Sequence, residues 1–477
     1  MKILLINPPY SDVYTRVSYA EGVVPPLGLA YLAAYAREKG FEVKILDANA
    51  LQIPLNKIKN HIPKDIDVVG TTSFTPSLNK SCKILSICKE INPNIITIIG
   101  GAHISALPKE TLKYYSSIDF GIIGEGEITL VELLKTIQKK ESLSTVKGIC
   151  YRDGKEIKLN QRRELIEDLD ILPFPAYDLL PVEKYCVPLH HVGFGQRVPT
   201  KPFAAIFTSR GCPYNCTYCA SKVIWERKVR FRNPKNVLAE IDHLVKNFNI
   251  KVIDIADDIF TINNKVFNAI LDGLIERDYD LHFNCLSRVN TIDMEKLKKL
   301  KKAKCYLIRY GVESGSQKVL NLMKKNITKE EVIKAFKMTH KVGIPASASF
   351  IIGHPGETNA TVKETIDLAK KIDPVLAHFF VAIPLVGTEL HDIARIKGLI
   401  VNNMGWEQWV QMPDEPILRT EKLSVKRLKK LRDKAYKEFY FRPSFIIKSI
   451  LRIRRLEQIK LYIRGFLAVL KLTDKIK

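Results

Sequence analysis

Three cysteines lie within one eight-residue stretch of the segment SRGCPYNCTYCA. Cys212, Cys216 and Cys219 follow an apolar run that ends near Thr208. Thiolates are ligands for zinc and for iron–sulfur clusters, and a structural zinc site normally closes with four protein ligands. An iron–sulfur cluster held by only three cysteines leaves one iron free to bind another molecule. The CxxxCxxC spacing therefore predicts an open iron–sulfur cluster.

Two runs of alternating strand and helix patterns surround the cysteines. In residues 1–140, short apolar strands such as KILLIN and IITIIGG are separated by helical stretches, which is typical of a doubly wound parallel sheet. Residues 141–200 contain the hairpin GICYRDGKEIKLN and the proline-rich linker LPFPAYDLLP. Six further strand and helix units in residues 201–400 predict a partial (β/α)6 barrel. Residues 401–477 are predicted to be a basic, mostly helical region.

The predicted strand ends of the first sheet carry small, polar or turn-forming residues. Ligands of open α/β sheets bind at the carboxyl ends of the strands. The crevice is therefore expected to allow close approach of a ligand to the backbone. The candidate binding residues at these ends are Asn7, Asp47, Thr72, Ser73, Gly100, Gly101, Gly124 and Glu125.

The strand ends of the second unit carry charged residues and glycines. Chemistry in such barrels is located on the loops that follow the strands, and the cysteine segment follows the first of them. Each of these strand-end motifs is weak evidence when taken alone. An acidic pair is often only a helix cap, and a segment with glycine and proline is often only a turn. The candidates after the second to fifth strands are Asp257, Asp258, Arg288, Glu313, Ser314, Gly353 and Glu357.

The order and spacing of these motifs behind CxxxCxxC resemble the radical S-adenosylmethionine (SAM) superfamily. Tyr218, an aromatic residue just before the last cysteine, is part of the resemblance. It implies a 4Fe-4S cluster on the three cysteines and SAM bound to the fourth iron. It also implies SAM contacts from Tyr218 and from the strand-end residues Asp257, Asp258, Glu313, Ser314, Gly353 and Glu357.

The first unit resembles the cobalamin-binding domain found at the amino terminus of one radical SAM subfamily. The matching landmarks are the loop at Thr71 to Thr75 and the glycine pair Gly100 and Gly101. The DxHxxG motif of cobalamin-dependent mutases is not matched, since Asn49 and Gln52 replace its histidine and glycine. The resemblance thus implies cobalamin whose cobalt is not ligated by a histidine of this loop. The alternative is a flavodoxin-like domain without a cofactor.

The resemblance also implies the reaction. An electron from the reduced cluster cleaves SAM, and the 5′-deoxyadenosyl radical removes hydrogen from an unactivated carbon of the substrate. Arg288 is the candidate catalytic residue, because a guanidinium at this strand end could pair with a carboxylate or take part in electron delivery. The expected product is a methylated, cyclised or rearranged small molecule or lipid. A ferredoxin or flavodoxin is the expected electron donor.

Composition and charge limit where the chain works. The sequence has no run of eighteen or more uncharged apolar residues, so no membrane-spanning helix is expected. No signal peptide is evident, and the scattered cysteines suit a reducing cytoplasm. The net charge is +24, and residues 421–477 contain eighteen Lys or Arg against five Asp or Glu. This tail is interpreted as helices packed on the barrel, as a surface helix on the inner face of a membrane, or as a phosphate-binding segment.

Two other functions are weighed against the small-molecule radical enzyme. A tRNA-modifying methylthiotransferase needs three more cysteines in the first domain, and only Cys82 and Cys88 precede Cys150. Nucleic acid is therefore not the expected partner. A corrinoid carrier or a zinc-stabilised binding module would not explain why the barrel strand ends repeat a SAM-site pattern.

Overall fold

The computed structural model describes residues 1–10, 22–187, 198–401, 405–410, 412–413 and 415–453, together with residues 459, 463 and 467. It contains two large sheets built mainly from parallel strands. The predicted α/β class, with a doubly wound sheet followed by a partial barrel, is confirmed.

The first sheet has seven strands in the order β2-β1-β3-β4-β5-β6-β7. Alternate residues of its strands enter separate hydrophobic clusters, with Leu4 and Ile6 on one face and Ile3 and Leu5 on the other. Helices therefore cover both faces, as a buried parallel sheet requires. The strands are Lys2–Asn7 (β1), Glu42–Asp47 (β2), Val68–Thr72 (β3), Ile96–Gly100 (β4), Phe120–Ile122 (β5), Ile149–Asp153 (β6) and Glu156–Leu159 (β7). The helices are Leu27–Glu38 (α1), Leu78–Ile91 (α2), Ala102–Ala106 (α3), Pro108–Tyr114 (α4) and Glu127–Lys139 (α5).

The hairpin that the sequence assigns to the linker belongs to this sheet. Strand β6 pairs antiparallel with β5, and β7 pairs antiparallel with β6. The sheet therefore continues to Leu159, beyond the predicted boundary at residue 140. The reason is burial, because Ile149, Cys150 and Tyr151 are buried in the cores of this sheet. Residues 188–197 of the predicted linker lie outside the described residues.

The second sheet has six parallel strands in the order β15-β14-β13-β12-β11-β8, which is the predicted partial barrel. Threonine side chains cap two of its outer helices, since Thr328 and Thr358 each accept a hydrogen bond from the backbone three residues later. Its strands are Phe203–Ile206 (β8), Val252–Ile255 (β11), His282–Ser287 (β12), Cys305–Glu313 (β13), Ala346–Ile352 (β14) and Leu376–Val381 (β15), and a short ribbon comprises Ser209–Arg210 (β9) and Arg230–Phe231 (β10). The helices are Ser221–Trp225 (α6), Pro234–Phe248 (α7), Asn264–Arg277 (α8), Met294–Lys302 (α9), Gln317–Leu322 (α10), Lys329–Val342 (α11), Asn359–Ile372 (α12) and Glu389–Ile396 (α13).

Among the residues described without a gap up to residue 453, the helices Val425–Tyr440 (α14) and Pro443–Leu451 (α15) follow the barrel. Helix α14 closes the open edge at β15, where the Tyr436 hydroxyl lies 3.2 Å from the Phe379 backbone nitrogen and Phe439 packs against the Phe379 ring. Most of the predicted helical continuation after residue 453 lies outside the described residues. None of the helices in the described part of the chain is long and apolar enough to cross a membrane.

Candidate functional site

The three cysteines lie on a closed loop at the carboxyl end of β8. Strands β9 and β10 pair antiparallel and bracket this cysteine loop, residues 211–229. Further hydrogen bonds hold it to the barrel, from the Thr217 backbone to Met323 at 3.0 Å and from Leu390 to Thr217 at 2.8 Å. The Thr217 hydroxyl also lies 3.0 Å from Nε2 of the buried His354. The loop that carries the thiols is therefore fixed at both ends and in the middle.

The donor set fits a cluster with one open iron. In the described part of the chain, no group of three or more His, Cys, Asp or Glu side chains has the geometry of a single-ion site. A cubane does not require such convergence, because each cysteine binds a different iron. Burial raises the pKa of the Cys219 thiol to about 12. Cluster binding must therefore displace thiol protons.

Gly211 sets the entry into the cysteine loop. Its φ is +96°, and a Cβ there would lie 1.9 Å from the carbonyl oxygen of Lys228. The two ends of the loop thus approach so closely that no side chain fits between them. Only glycine satisfies both the backbone angle and the contact.

Replacing Gly211 with alanine is expected to open the loop and lower the iron and sulfide bound per chain. The steric overlap and the backbone strain should together reduce stability by about 1–3 kcal/mol or more. Gly154 is the matched control, because its φ is +60° and a Cβ there meets nothing within 4 Å. Iron analysis and thermal melting compare the two variants. Normal iron content in Gly211→Ala would contradict this role.

Arg288 lies beside the cysteines, as its strand-end position predicted. The side chain is buried, and Nη1 is 3.9 Å from Sγ of Cys216. The guanidinium stacks on the ring of Tyr214 at 3.6 Å and donates through Nη2 to the Lys325 carbonyl. A fixed positive charge therefore lies next to the sulfur of Cys216.

The acidic pair after β11 divides into two roles. Asp257 is buried, and its carboxylate accepts hydrogen bonds from the backbone and hydroxyl groups of both Thr208 and Ser209. Burial nevertheless raises the pKa of Asp257 to about 6. Asp258 is exposed and accepts a bond from the Ser221 hydroxyl at 2.7 Å. Asp257 therefore braces the start of the cysteine loop, and Asp258 is the better placed to meet a ligand.

Glu313, at the end of β13, adopts a backbone conformation that is unusual for a non-glycine residue. Its φ is +68°. The carboxylate pairs with the buried ammonium of Lys325 at 2.9 Å, and that ammonium lies 3.2 Å from the hydroxyl of Tyr218. Strained backbone persists where the surroundings enforce it, often at functional sites. Glu313, Lys325 and Tyr218 form one polar network beside the last two cysteines.

Gly353 and Glu357 form a tight turn after β14. The Gly353 backbone N–H donates to the Glu357 carboxylate at 2.5 Å, while the other carboxylate oxygen is buried without a hydrogen-bond partner. Burial raises the pKa of Glu357 to about 8. An unpartnered buried oxygen is costly, and a ligand donor would satisfy it. This segment is therefore compatible with the SAM contact that the resemblance implied.

Glu357 is expected to make stability fall as pH rises from about 4.5 to 8. The carboxyl of the unfolded chain has its ordinary pKa of 4.5, whereas the folded carboxyl keeps its proton to about pH 8. Glu357→Gln, which mimics the protonated form, should therefore raise the melting temperature at pH 8 but not at pH 4.5. Glu330→Gln, at an exposed position, is the control. Parallel melting curves for wild type and Glu357→Gln across this range would contradict the assignment.

Ser314 has its hydroxyl engaged within the protein. The side chain is buried, its Oγ lies 3.2 Å from the Thr365 hydroxyl of α12, and the Ser316 backbone donates to it at 3.1 Å. These contacts hold the turn between β13 and α10. The SAM contact expected at Ser314 stays a prediction.

The glycine pair after β4 forms an open cradle at the edge of the first sheet. A Cβ on Gly100 would meet nothing within 4 Å, whereas one on Gly101 would lie 2.6 Å from the Ser73 carbonyl oxygen. The Ser73 hydroxyl donates to the Gly100 carbonyl at 2.9 Å, which ties the two loops together. The hydroxyl of Thr71, just before Thr72, is buried without a partner. Open backbone and an unsatisfied hydroxyl fit a bound cobalamin at Thr72, Ser73, Gly100 and Gly101.

Asn7 and Asp47 hold the neighbouring loops in place. The Asn7 amide donates to Asp47 at 2.8 Å, and Asp47 also accepts from the Ala50 backbone and the Tyr185 hydroxyl. Burial raises the pKa of Asp47. Both side chains are buried in this network, so the structure gives them a positioning role at the edge of the cradle.

His103 is buried beyond the glycine pair. Its Nδ1 lies 3.2 Å from the Thr75 hydroxyl, and Trp406 packs edge-on against its ring at 5.0 Å. Burial lowers the pKa of His103 to about 4, so the imidazole is neutral at physiological pH. The contact with Trp406 brings the segment before α14 against the first domain. The contacts of His103 are therefore those of a buried structural residue near the start of α3.

The sequence placed Glu125 among the candidate ligand-binding residues of the first sheet, but in the structure its carboxylate pairs with arginine side chains. Its carboxylate receives Arg210 at 2.8 Å, Arg230 at 2.6 Å and the Ile166 backbone N–H at 2.8 Å. Glu127 binds the other arm of Arg210 at 2.6 Å. Arg210 ends β9, immediately before the cysteine loop, so this buried interdomain cluster joins the first domain to the root of that loop. Gly124, with φ of +78°, turns the chain into the cluster.

Two functional candidates escaped sequence reasoning. Lys324 and Lys325 form a dipeptide whose sequence is typical of an exposed surface. Lys324 is indeed exposed, but Lys325 is buried and forms an ion pair with Glu313. Arg210 lies two residues before Cys212, and that proximity was the only available signal. Their partners are distant in the chain, so only the fold reveals them.

Comparisons with known proteins agree with both halves of the site. Residues 206–369 match the radical SAM superfamily, and residues 15–134 match the B12 binding domain. An uncharacterized methyltransferase of Pyrococcus horikoshii is 35% identical over 98% of each chain. The anaerobic magnesium-protoporphyrin IX monomethyl ester cyclase of Rubrivivax gelatinosus is 32% identical over 80% of this chain and 68% of its own.

Solved structures give the same fold. The cobalamin-dependent SAM radical enzyme OxsB, with aqua-cobalamin and SAM bound, has a TM-score of 0.73 at 20% identity and covers 99% of this chain and 71% of its own. The radical SAM methyltransferase TsrM of Kitasatospora setae, with cobalamin and a [4Fe-4S] cluster bound, has a TM-score of 0.68 at 18% identity, covering 85% and 76%.

The predicted cofactors are therefore confirmed as a 4Fe-4S cluster, SAM and cobalamin. The tRNA-modifying and non-enzymatic alternatives gain no support from the methyltransferase relative that covers 98% of this chain. The chain belongs to the radical SAM enzymes that carry an amino-terminal cobalamin-binding domain.

Proposed function

We propose that this protein transfers a methyl group to an unactivated carbon of a small molecule. The supporting observation is that the carboxyl ends of its two parallel sheets meet. Helix α3, which follows the glycine cradle, packs against α6, which follows Cys219. A Cβ on Gly387 would lie 2.9 Å from Val223 of the cysteine loop and 3.1 Å from Ala106 of the first domain. A corrinoid on one side and SAM on the other would therefore face each other across this contact region.

The proposed roles of the side chains follow from their geometry. Cys212, Cys216 and Cys219 hold the cluster, and Arg288 places a positive charge beside it. Asp258 and Glu313 offer acceptors for SAM, and Glu357 offers it a buried polar oxygen. Tyr218 and Lys325 fix the position of Glu313. The bound cofactors supply radical formation and a transferable methyl group. The protein supplies orientation and keeps the reacting groups away from water.

The proposal also includes an electron donor, a substrate class and a cellular location. The family needs an external reductant, and a ferredoxin or flavodoxin in the cytoplasm is proposed for this chain. The substrate is a small molecule, with a lipid as the second class. The basic carboxyl-terminal helices support a peripheral position on the inner face of a membrane.

Product analysis with methyl-labelled SAM tests the proposed reaction. The reconstituted, reduced enzyme is incubated with candidate substrates from a cell extract, and the small-molecule fraction is analysed for label. Label in a new small molecule, together with unlabelled 5′-deoxyadenosine, is expected. Release of 5′-deoxyadenosine with no label in any product would overturn methyl transfer.

Release of 5′-deoxyadenosine without transfer of label would favour ring formation instead. The similarity to a magnesium-protoporphyrin IX monomethyl ester cyclase makes cyclisation the second candidate. A product with the mass of the substrate less two or more hydrogens would identify it. SAM that is never cleaved would contradict both.

A further inference from the structure

Helix α15 presents an apolar face to solvent. Ile446, Ile447, Ile450 and Leu451 are 39, 57, 61 and 67% exposed. At about 100° per residue these four side chains fall on one side of the helix. The opposite side holds Phe445 and the buried Ser449. An amphipathic helix normally buries its apolar stripe, so this orientation is inverted.

The contacts of α15 fix that orientation. Arg442, just before the helix, pairs with Asp373 and donates to the Lys370 carbonyl at 2.9 Å. Lys448 pairs with the same Asp373 at 2.6 Å. The Phe445 ring packs at 5.3 Å from Phe439 and at 5.1 Å from Tyr440. The apolar face is therefore held outward by ionic and aromatic anchors on the other side of the helix.

Exposed aliphatic residues and positive charge also occur in the chain after α15. Ile459, Ile463 and Leu467 are helical, spaced by four residues and exposed. From Arg442 to Lys477 the sequence has ten Lys or Arg and two Asp or Glu. Exposed aliphatic side chains mixed with this much positive charge match helices that lie in the interface of an anionic bilayer. A second copy of this chain would instead bring two strongly positive segments together.

We propose that the isoleucine face, comprising Ile446, Ile447, Ile450 and Leu451, docks on an anionic lipid surface. This deepens the peripheral location in the proposed function and does not depend on its chemistry. The apolar side chains enter the headgroup boundary, while the net positive charge of residues 442–477 attracts the anionic lipids.

The position of α15 also orients the bound enzyme. Asp373, its anchor, follows α12 and precedes β15, and Tyr440 contacts Ala377 at the start of that strand. These points lie at the amino ends of the barrel strands, opposite the cysteine loop. Docking therefore turns the cysteine loop toward water. This arrangement favours a substrate that arrives from the aqueous side over one that enters from the lipid.

Vesicle co-sedimentation of the full chain tests the docking face. Wild type is expected to bind phosphatidylcholine vesicles that contain phosphatidylglycerol, more weakly at high salt, and to bind pure phosphatidylcholine poorly. The double variant Ile447→Glu and Ile450→Glu should lose about tenfold or more in binding. Ile396→Glu, at an exposed isoleucine of α13, is the control and should bind like wild type.

Several outcomes would overturn the docking proposal. These are absence of binding to anionic vesicles, equal binding by the double variant, and a wild-type dimer in sedimentation equilibrium that the double variant converts to monomers. SAM cleavage measured without vesicles separates the two proposals. Normal cleavage by the double variant is expected, and failure of cleavage in wild type would count against the proposed function alone.

Discussion

Anaerobically reconstituted Cys216→Ala protein is expected to form no 5′-deoxyadenosine above background, whereas Cys186→Ala protein is expected to cleave SAM at the wild-type rate. Cys216 is buried on the cysteine loop, with the Arg288 guanidinium 3.9 Å from its sulfur. A cubane that loses one of three thiolates loses a protein bond to one iron, and no other cysteine is positioned on this loop to replace it. The expected effect on activity is complete loss.

Cys186 makes the comparison informative because it contributes a backbone bridge to Val23 and is not on the cysteine loop. Chromatography of 5′-deoxyadenosine, iron analysis and the electron paramagnetic resonance spectrum of the reduced protein should change together in Cys216→Ala. A variant that retains the cluster spectrum and cleaves SAM would show that Cys216 is not a ligand. Equal loss in Cys186→Ala would indicate a general effect of removing thiols.

The sequence predicted those elements whose signals are local. The strand and helix alternation placed the two parallel sheets, and the CxxxCxxC spacing located the loop that follows β8. The glycine pair after β4 was recognisable because two glycines at a strand end leave room for a ligand to approach the backbone, and the open space at Gly100 is compatible with such an approach. Each of these features is contained in a short stretch of chain.

What the sequence could not predict depends on pairing between distant residues. Glu125 stands at a strand end like a ligand contact, but its partners Arg210 and Arg230 lie 85 and 105 positions away. Lys325 is separated from Tyr218 by 107 positions. The inverted face of α15 depends on anchors at Asp373, and a helical pattern alone does not indicate which side will be buried.

Glu125→Gln is expected to lower the free energy of unfolding by about 3–5 kcal/mol, since it leaves buried guanidinium charge uncompensated. Arg210 and Arg230 both pair with this carboxylate, and all three side chains are 5% exposed or less. Arg210 also lies against the rings of Tyr31 and Trp225, so it has no route to water. Denaturant melts at neutral pH measure the change.

Glu167→Gln is the matched control, because Glu167 pairs with Lys228 at 3.4 Å in a contact where both side chains are largely exposed. Such surface pairs contribute little, so the control should melt like wild type. Because Arg210 precedes Gly211 and the cysteines, Glu125→Gln should also bind less iron at temperatures where it is still folded. Equal stability of the two variants would contradict the buried interdomain cluster. If Glu125→Gln is destabilised but binds its full iron content, the buried charged residues only hold the two domains together. If it loses iron, the cobalamin-binding domain also supports the cysteine loop.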